Sequence, residues 1–162
     1  MLFNLVNVLL AFVPNSNLVV KRDLEFFTNV LDLTKIPCHM YSARIKTFES
    51  ARAKLNKESN PENNIFKMYD LIAFRFVFYT DIDLYTFYAG VKAKKLVTFT
   101  HNYMREPKPN GYKAYHFHYR NTYEDCPIQN IECQLFTVKN YYEAMYGEAS
   151  NYKDYLLENT DQ

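Results

Sequence analysis

Two short segments of this chain combine residue types that could bind a nucleotide. The first, residues 106–116, contains a Pro-Asn-Gly turn signal that can place the ring of Tyr112 and a lysine at the mouth of a strand, where a flat base and its phosphates could be held. The second, residues 131–137, alternates with a period of two, so Glu132 and Gln134 share one face of a strand. A carboxylate is therefore predicted to project from a buried strand into polar surroundings.

Three polar side chains further upstream recur at intervals of four residues. Lys46, Ser50 and Lys54 would form one stripe on a helix, with Arg44 at its start. A planar guanidinium can stack on a base and also bond to phosphate, while lysine offers a compact positive charge. The stripe could therefore grip a triphosphate. Taken alone it could also be a solvated basic face, because other basic residues such as Arg52 lie nearby.

Two carboxylates stand at or inside predicted strands. Asp70 lies where one strand begins, and Glu132 lies on a later one. Two carboxylates that converge on a triphosphate are what a hydrated Mg²⁺ needs, so the pattern predicts a magnesium site. In the alternative interpretation Asp70 is a cap and Glu132 is half of a surface ion pair. Its weakness is that Glu132 lies within an otherwise apolar strand.

Hydrophobic periodicity predicts the elements that must position these residues. The fold class is α+β, with helices around a mixed sheet. The apolar segment 1–13 suggests a buried first helix or an exposed docking segment rather than a targeting sequence, and it is too short to span a bilayer. The remaining pattern predicts helices over 18–33, 42–55 with Ser42 as N-cap, 83–96 and 140–155, and strands over 71–79, 113–120 and 130–137.

Bulk properties restrict the class of partner and the compartment. A chain of 162 residues is long enough for one domain with one core. The 19 basic and 18 acidic residues give no general attraction to nucleic acid, so phosphate binding must come from local clusters. Three widely spaced cysteines suit free thiols in a reducing compartment, which predicts a cytoplasmic protein without a membrane partner.

Four ordered blocks resemble the synthetase domain of the RelA/SpoT alarmone synthetases. Their patterns are R-x-K-x-x-x-S-x-x-x-K, D-x-x-x-x-R, P-K-x-N-G-Y-x-x-x-H and I-E-x-Q-x-x-T, and the resemblance spans residues 41 to about 152. It implies the synthetase fold and one synthetase-like domain over residues 1–162. That domain would consist of N-terminal helices at 1–40, a nucleotide-binding and catalytic core at 41–152 and a short tail at 153–162.

The resemblance also implies roles on the ATP side. Arg44 and Arg75 would sandwich the adenine of ATP, and Lys46, Lys54 and Ser50 would hold and position its phosphates. Asp70 would bind Mg²⁺. Glu132 would help to bind the metal and would activate the acceptor's ribose hydroxyl for attack on the β-phosphate.

On the acceptor side, Tyr112 resembles the ring on which the family stacks the guanine of GDP or GTP. The residues implied around that acceptor are Lys108, Asn110, His116 and Gln134. The implied reaction transfers the β,γ-pyrophosphate of ATP to the 3′-hydroxyl of GDP or GTP and yields (p)ppGpp and AMP. Zinc binding by His116 and His118 with a cysteine is disfavoured, because no recognised zinc spacing is present.

Several positions depart from the family pattern. The tripeptide that usually reads K-D-Y or D-D-Y is His101-Asn102-Tyr103, Phe136 replaces an arginine, Tyr141 a histidine and Met145 a glutamate, and 149–152 replaces A-A-H-W. These changes suggest an intact ATP side and an altered acceptor side.

Two alternatives follow from these departures. One is a toxic small pyrophosphokinase that modifies the 3′ end of tRNA or an adenine nucleotide. The other is a nucleotide-binding relative without catalysis, against which both retained carboxylates, Asp70 and Glu132, argue. A homo-oligomer is compatible with the sequence, but a tetramer is doubtful, because few residues follow the last motif.

Overall fold

Within residues 13–57 and 65–147, which this computed structural model describes, five strands form one mixed sheet. This arrangement confirms the predicted α+β class with helices around a mixed sheet. A short 3₁₀ turn, Ile65–Lys67, precedes the second strand. The strands are β1 (Cys38–Ile45), β2 (Ile72–Phe78), β3 (Val97–Asn102), β4 (Tyr115–Arg120) and β5 (Asn130–Thr137), and the helices are α1 (Ser16–Thr34), α2 (Phe48–Lys57), α3 (Asp81–Lys92) and α4 (Val138–Tyr146).

The strand order β1-β2-β5-β4-β3 places the chain's most polar strand positions side by side. β2 and β5 run parallel, and the other neighbouring pairs run antiparallel. Arg75 of β2 lies opposite Gln134 of β5, and on the other side of β5 His116 lies opposite Gln134 and His118 lies opposite Glu132. Because residues paired across strands point to the same face, these five side chains share one face of the sheet.

The opposite face of the sheet carries the main core. The ring of Phe27 on α1 lies between 5.0 and 6.1 Å, centroid to centroid, from the rings of Phe74, Phe76, Phe87 and Tyr119. Burial of such rings is the dominant favourable term in forming this layer. Ile72, Phe74, Phe76 and Phe78, which alternate along β2, are all fully buried. The sheet is therefore fixed from behind by apolar packing, which leaves its front free for polar side chains.

A buried ion network ties α1 to the back of the sheet. Asp23 is fully buried on the same stripe of α1 as Val19. Its carboxylate accepts a hydrogen bond of 2.7 Å from the Tyr119 hydroxyl and lies 3.2 Å from Lys95 Nζ and 2.9 Å from Arg22 Nε. A buried charge needs such partners, because leaving it unpaired costs several kcal/mol, on the order of 3–5. The sequence reading did not anticipate this network.

The predicted helix 42–55 is wrong at its start. Ser42 is not an N-cap, since it lies inside β1 opposite Arg75. The helix begins at Phe48, and the Thr47 hydroxyl oxygen accepts the hydrogen bond from Ser50 N at 3.2 Å that a cap provides. Arg44 therefore stands on an edge strand rather than at the start of a helix.

The other predicted helices and strands are present in the structure, but some of them begin or end at different residues. α1 and the strands β2, β4 and β5 confirm the predictions over 18–33, 71–79, 113–120 and 130–137. The helix predicted over 83–96 spans Asp81–Lys92, because the Thr80 side chain caps it two residues earlier. β3 was not predicted. Within the described residues, no helix is both long and apolar enough to cross a membrane.

Some predictions fall on residues that are not described. The helix predicted over 140–155 begins at Val138, and its residues beyond 147 lie outside the described part, as do residues 1–12 of the apolar opening. The tail 153–162 lies there too. The division of residues 1–162 into one domain with three parts stays a prediction.

Candidate active site

A cleft of about 1120 Å³ lies on the polar face of the sheet. All of the residues proposed from the sequence for nucleotide, metal and catalytic roles line it. They are Arg44, Lys46, Ser50, Lys54, Asp70, Arg75, Lys108, Asn110, Tyr112, His116, Glu132 and Gln134. Its volume is at the upper end of ordinary ligand sites, which are roughly 300–1,000 Å³, so more than one small molecule fits.

One end of the cleft holds a lysine–aspartate cluster, formed by Lys46, Lys54 and Asp70. Lys46 Nζ lies 3.0 Å from Asp70 Oδ2, and Lys54 Nζ lies 3.1 Å from Asp70 Oδ1. Lys46 precedes α2 rather than standing on it, and its backbone N–H donates to Leu71 O at 2.7 Å. The predicted single helical stripe is therefore wrong, but the loop after β1 still brings Lys46 to the same place as Lys54 and Ser50.

This cluster carries two positive charges and one negative charge near the solvent. The side chains of Lys46 and Asp70 are 14% exposed and that of Lys54 is 39% exposed. A phosphate group entering the cleft can take over one or both lysines, because it offers more negative charge than one carboxylate. The cluster therefore suits an exchangeable anion.

The donor set at the cleft fits a Mg²⁺ that is shared with a substrate. Asp70 and Glu132 both line the cleft and offer carboxylate oxygens, the hard ligands that Mg²⁺ prefers. Among the described residues, no group of three or more His, Cys, Asp or Glu side chains could hold a metal ion by itself. A Mg²⁺ bound here would complete its shell with water and phosphate oxygens, which is usual for this ion at nucleotide sites.

A hydrogen-bonded row crosses the middle of the sheet, formed by Arg75, Gln134, Glu132, His116 and Tyr112. Arg75 Nη2 donates to Gln134 Oε1 at 3.1 Å, and Gln134 Nε2 donates to Glu132 Oε2 at 3.3 Å. The other carboxylate oxygen, Glu132 Oε1, lies 3.1 Å from His116 Nδ1, whose Nε2 lies 2.8 Å from the Tyr112 hydroxyl. Each carboxylate oxygen is thus held by a separate partner, which fixes its orientation.

The protonation states within this row follow from burial and hydrogen bonding. Burial alone would raise the pKa of Glu132, but hydrogen bonds from His116 and His118 outweigh it and hold that pKa well below its usual range. Burial lowers the pKa of His116 despite the nearby carboxylate. Burial, together with the charge of Glu132, raises the pKa of Tyr112. At neutral pH the network therefore assigns an ionised Glu132, a neutral His116 protonated on Nδ1, and a Tyr112 hydroxyl that donates to His116 Nε2.

His118 is a site residue that the sequence reading missed. Its Nε2 lies 3.7 Å from Glu132 Oε1, and within the described residues its buried Nδ1 has no hydrogen-bond partner. Its ring stacks on Phe99, with centroids 5.7 Å apart and an interplanar angle of 18°. The sequence signal was the alternation of two histidines opposite Glu132, which was considered only for zinc. Cys133 points to the core from the opposite face of β5, so it cannot join these histidines on one metal.

The turn that carries Tyr112 has the predicted geometry. Gly111 has a φ of +83°, the left-handed region that favours glycine, and its N–H donates to Lys108 O at 2.8 Å. Asn110 Oδ1 accepts a hydrogen bond of 3.2 Å from Tyr112 N. Lys108 Nζ lies 4.8 Å from the ring centroids of both Tyr103 and Tyr112. The loop thereby presents an aromatic ring and an ammonium group together at the cleft.

Three of the positions that depart from the family pattern contact Arg75. Tyr141 and Met145 contact the guanidinium of Arg75, a residue assigned to the ATP side. Phe136 lies between the two sides, because its ring contacts both Arg75 and Tyr112. Tyr141 and Met145 thus contact a residue that the resemblance assigns to the ATP side, and the interpretation that these changes gather around the acceptor stays a prediction. Positions 149–152 lie outside the described residues.

Solved structures share this fold at low sequence identity. The small alarmone synthetase 1 of Bacillus subtilis, bound to its product pppGpp, is 22% identical over 83% of this chain and 74% of that chain, with a TM-score of 0.67. The small alarmone synthetase 2 of the same organism is 22% identical over 91% and 79%, with a TM-score of 0.70. A GTP pyrophosphokinase family protein of Streptococcus pneumoniae is 16% identical over 86% and 74%, with a TM-score of 0.72.

The family assignment rests on the sequence itself. The family described as "Region found in RelA / SpoT proteins" matches residues 43–156, which contain all four motif blocks and most of the chain. No curated protein matches the chain. The predicted resemblance is thus confirmed, both by the matched family region and by a fold shared with small alarmone synthetases. The chain belongs to the RelA/SpoT family.

Proposed function

We propose that this protein is an ATP-dependent pyrophosphokinase that transfers the β,γ-pyrophosphate of ATP to the 3′-hydroxyl of GDP or GTP, yielding (p)ppGpp and AMP. The observation that carries the proposal is the position of Glu132. This oriented carboxylate shares one cleft with a cationic cluster suited to phosphate and with the ring of Tyr112. A protein of the same fold was solved with pppGpp as its product, which supports this choice of acceptor.

The ATP side of the cleft is built from β1, α2 and β2. Arg44 lies opposite Ala73 and Ser42 lies opposite Arg75, so Arg44 and Arg75 project from the same face of neighbouring strands. Arg44 and Arg75 are diagonal neighbours across the strand pair, and two guanidinium groups in that relation can enclose an adenine ring. Lys46 and Lys54 would then leave Asp70 and bind the triphosphate.

Mg²⁺ would be held by Asp70 and Glu132 together with phosphate oxygens, and it would supply positive charge where negative charge develops on the transferred group. The lysines would also supply positive charge to the transferred group. Lys46 and Lys54 stabilise charge on the phosphate oxygens, because ammonium groups fixed close to a phosphate need no reorganisation during the reaction.

The transfer step exchanges one bond to phosphorus for another. The acceptor's 3′-oxygen forms a bond to the β-phosphorus of ATP, and the bond from that phosphorus to the α,β-bridging oxygen breaks. AMP leaves with the electron pair, and the hydroxyl proton passes to the carboxylate of Glu132. Gln134 and His116 hold the two carboxylate oxygens, each of which keeps a lone pair for the hydroxyl.

The acceptor base would stack on Tyr112, beside Lys108 and Asn110. One observation keeps the altered acceptor as a second candidate. Asn102 Oδ1 accepts a hydrogen bond from Arg105 N at 3.2 Å, and an aspartate could make the same bond. The amide also donates from Nδ2 to the Tyr85 hydroxyl at 3.4 Å, so this position replaces the negative charge of the family pattern with a neutral group that the structure accommodates.

The test is a transfer assay with Mg²⁺ and β-labelled ATP, offering GDP, GTP, AMP, ATP alone or bulk tRNA in separate reactions. Label on GDP or GTP with release of AMP is the expected result. Label only on tRNA or an adenine nucleotide would replace the proposed acceptor with the altered one. ATP binding without label on any acceptor would identify a non-catalytic relative and refute the proposal.

A further inference from the structure

We propose that Phe136, Tyr141 and Met145 form an arginine cage, which holds Arg75 in the orientation needed to stack on the donor base. The three residues are positioning residues for nucleotide binding and do not take part in the chemistry. This inference rests on the proposed function, because it assigns Arg75 to the base of ATP. Of the three residues, Phe136 stands at an unspecified position of the last motif block, and Tyr141 and Met145 lie after that block.

The contacts of Arg75 restrain its guanidinium at the edge and over the face. Nε and Nη2 donate to Gln134 Oε1 at 3.3 and 3.1 Å, and Nη1 lies 3.9 Å from Met145 Sδ. The central carbon lies 5.5 Å from the ring centroid of Phe136 and 5.8 Å from that of Tyr141. These two rings stand at 80° to each other, so they block rotation in two directions.

The two aromatic residues of the cage are set back from the cleft surface. Arg75 and Met145 line the cleft, whereas Phe136 and Tyr141 do not. The aromatic rings therefore contact the guanidinium from within the protein, while Arg75 itself borders the cleft. Arg44 projects from the neighbouring strand on the same face of the sheet. A purine entering between the two arginines would meet one guanidinium that is already in place.

All three cage positions depart from the family pattern, and they converge on one side chain. The pattern has arginine, histidine and glutamate at positions 136, 141 and 145, whereas this chain has two aromatic rings and a thioether. An arginine at position 136 would place like charge next to Arg75, which is unfavourable. The apolar replacements instead support a cation through its π contacts and a sulfur contact. The three changes therefore all favour a fixed position for the guanidinium of Arg75.

The expected effect follows from the flexibility of arginine. A free arginine side chain loses rotamer freedom when it binds a ligand, whereas a caged one has already lost it. Since ordering one such side chain costs enough to change affinity by roughly 3- to 10-fold, loss of the cage should weaken ATP binding by that factor. Binding through phosphate alone should not change, because the lysines that would hold phosphate, Lys46 and Lys54, are positioned by Asp70.

Calorimetric titration with Mg²⁺-ATP and, separately, with Mg²⁺-tripolyphosphate tests the cage. Tyr141→Leu should weaken ATP binding about 3- to 10-fold and leave tripolyphosphate binding unchanged. Tyr141→Phe keeps the ring and should restore ATP binding to the level of the unmodified protein. The matched control is Tyr146→Leu, since Tyr146 is exposed on the same helix and its ring contacts Tyr142 rather than Tyr141 or Arg75.

Other outcomes overturn the inference in distinguishable ways. Unchanged ATP affinity in Tyr141→Leu refutes the cage but leaves the proposed function intact. An equal loss for ATP and tripolyphosphate shows a general structural defect and also refutes it. If the unmodified protein binds no ATP, the proposed function fails and the cage fails with it. Should Tyr141→Leu unfold, Tyr141→Met, which keeps more apolar volume but also lacks the ring, gives the same comparison.

Discussion

The lysine–aspartate cluster and the hydrogen-bonded row lie in the same cleft, but they are built in opposite ways. The cluster takes Lys46 from a loop, Lys54 from α2 and Asp70 from the segment before β2. The row takes its central members from adjacent strands in register, and Glu132 and His116 are only 7% and 8% exposed. Ion pairs near solvent exchange partners readily, whereas a buried network on strands is fixed in advance.

This difference in construction indicates which part of the site binds ATP and which part carries out the transfer. A triphosphate can displace Asp70 from Lys46 and Lys54, because it offers the lysines more negative charge than one carboxylate does. The row cannot rearrange without leaving buried polar atoms unpaired, which costs about 1–3 kcal/mol for each group. The cluster, together with Arg75 at the donor end of the row, should therefore govern ATP affinity, and the rest of the row, from Gln134 to Tyr112, should govern turnover and acceptor binding.

The largest effect is expected from Glu132→Gln. The amide keeps the shape of the side chain but cannot accept the hydroxyl proton, so turnover should fall about 10²- to 10⁴-fold, the usual contribution of a general base. ATP affinity should stay within a few fold. Single-turnover transfer and ATP titration measure the two quantities. The control is Glu25→Gln, an exposed position on α1.

An equal collapse of ATP affinity and turnover in Glu132→Gln would contradict the separation of the two regions. In that case Glu132 would support the cleft as a structural residue, and the role proposed for it would be wrong.

The acceptor end of the row should respond to Tyr112→Leu. Loss of the ring removes a stacking partner worth about 1–3 kcal/mol per base, so the KM for GDP or GTP should rise roughly 5- to 150-fold while ATP affinity stays unchanged. Steady-state kinetics with each nucleotide varied in turn checks this. Tyr112→Phe keeps the ring and loses only the hydrogen bond to His116 Nε2.

If Tyr112→Phe raised the acceptor KM as much as Tyr112→Leu does, the hydroxyl rather than the ring would be the important part. The base would then have to be placed elsewhere in the cleft.

The cluster should respond to Lys46→Ala mainly through ATP affinity. One charge-assisted contact to phosphate is lost, which corresponds to a fall of roughly tenfold at the lower end of such bonds. Turnover at saturating ATP should change less. Titration at low and high salt is the measurement, since salt weakens the attraction between a lysine and a phosphate that reaches it from solvent. Arg52→Ala on α2 is the matched control, because Arg52 is exposed and does not line the cleft. A loss confined to turnover would place Lys46 in the chemistry instead.

The central part of the fold was predictable from the sequence, and so was the composition of the site. β2 and β5 are buried on both faces, so their apolar runs are long and their ends were found closely. Glu132 and Gln134 break the apolar pattern of β5 at alternate positions, which marked the face that lines the cleft. The motif blocks then named side chains that come together from separate elements.

The edges of the sheet were not predictable in the same way. β1 and β3 are edge strands whose side chains are largely exposed, so neither shows a clear period of two. Without that signal, the sequence favoured Ser42 as a helix cap and predicted no element over residues 97–102. Contacts between side chains of different helices and strands were also not predictable from the sequence. Nothing in the spacing of Phe136, Tyr141 and Met145 shows that they meet at Arg75, because that contact depends on how α4 packs against the sheet.

The smallest effect is on stability and distinguishes the two regions by pH. Burial holds the pKa of His116 below its ordinary value of 6.5. As pH falls from 8 to 5, the unfolded chain takes up a proton near pH 6.5 while the folded protein resists it, so stability is present above that pH and is lost below it. Differential scanning calorimetry should show the Tm falling by a few degrees, about 2–4 °C for each kcal/mol in a chain of this size.

His116→Gln assigns this acid loss to the row. Glutamine can still donate to Glu132 but does not titrate, so its Tm should fall less between pH 8 and pH 5 than that of the unmodified protein. Lys46→Ala should keep the full acid loss, because the lysine–aspartate cluster contains no histidine. The depressed pKa of Glu132 does not interfere, since a carboxyl with an ordinary value of 4.5 contributes its loss at lower pH. An acid slope that survives in His116→Gln and disappears in Lys46→Ala would show that the preorganised, pH-sensitive region is the cluster, and the contrast drawn between the two ends of the cleft would be reversed.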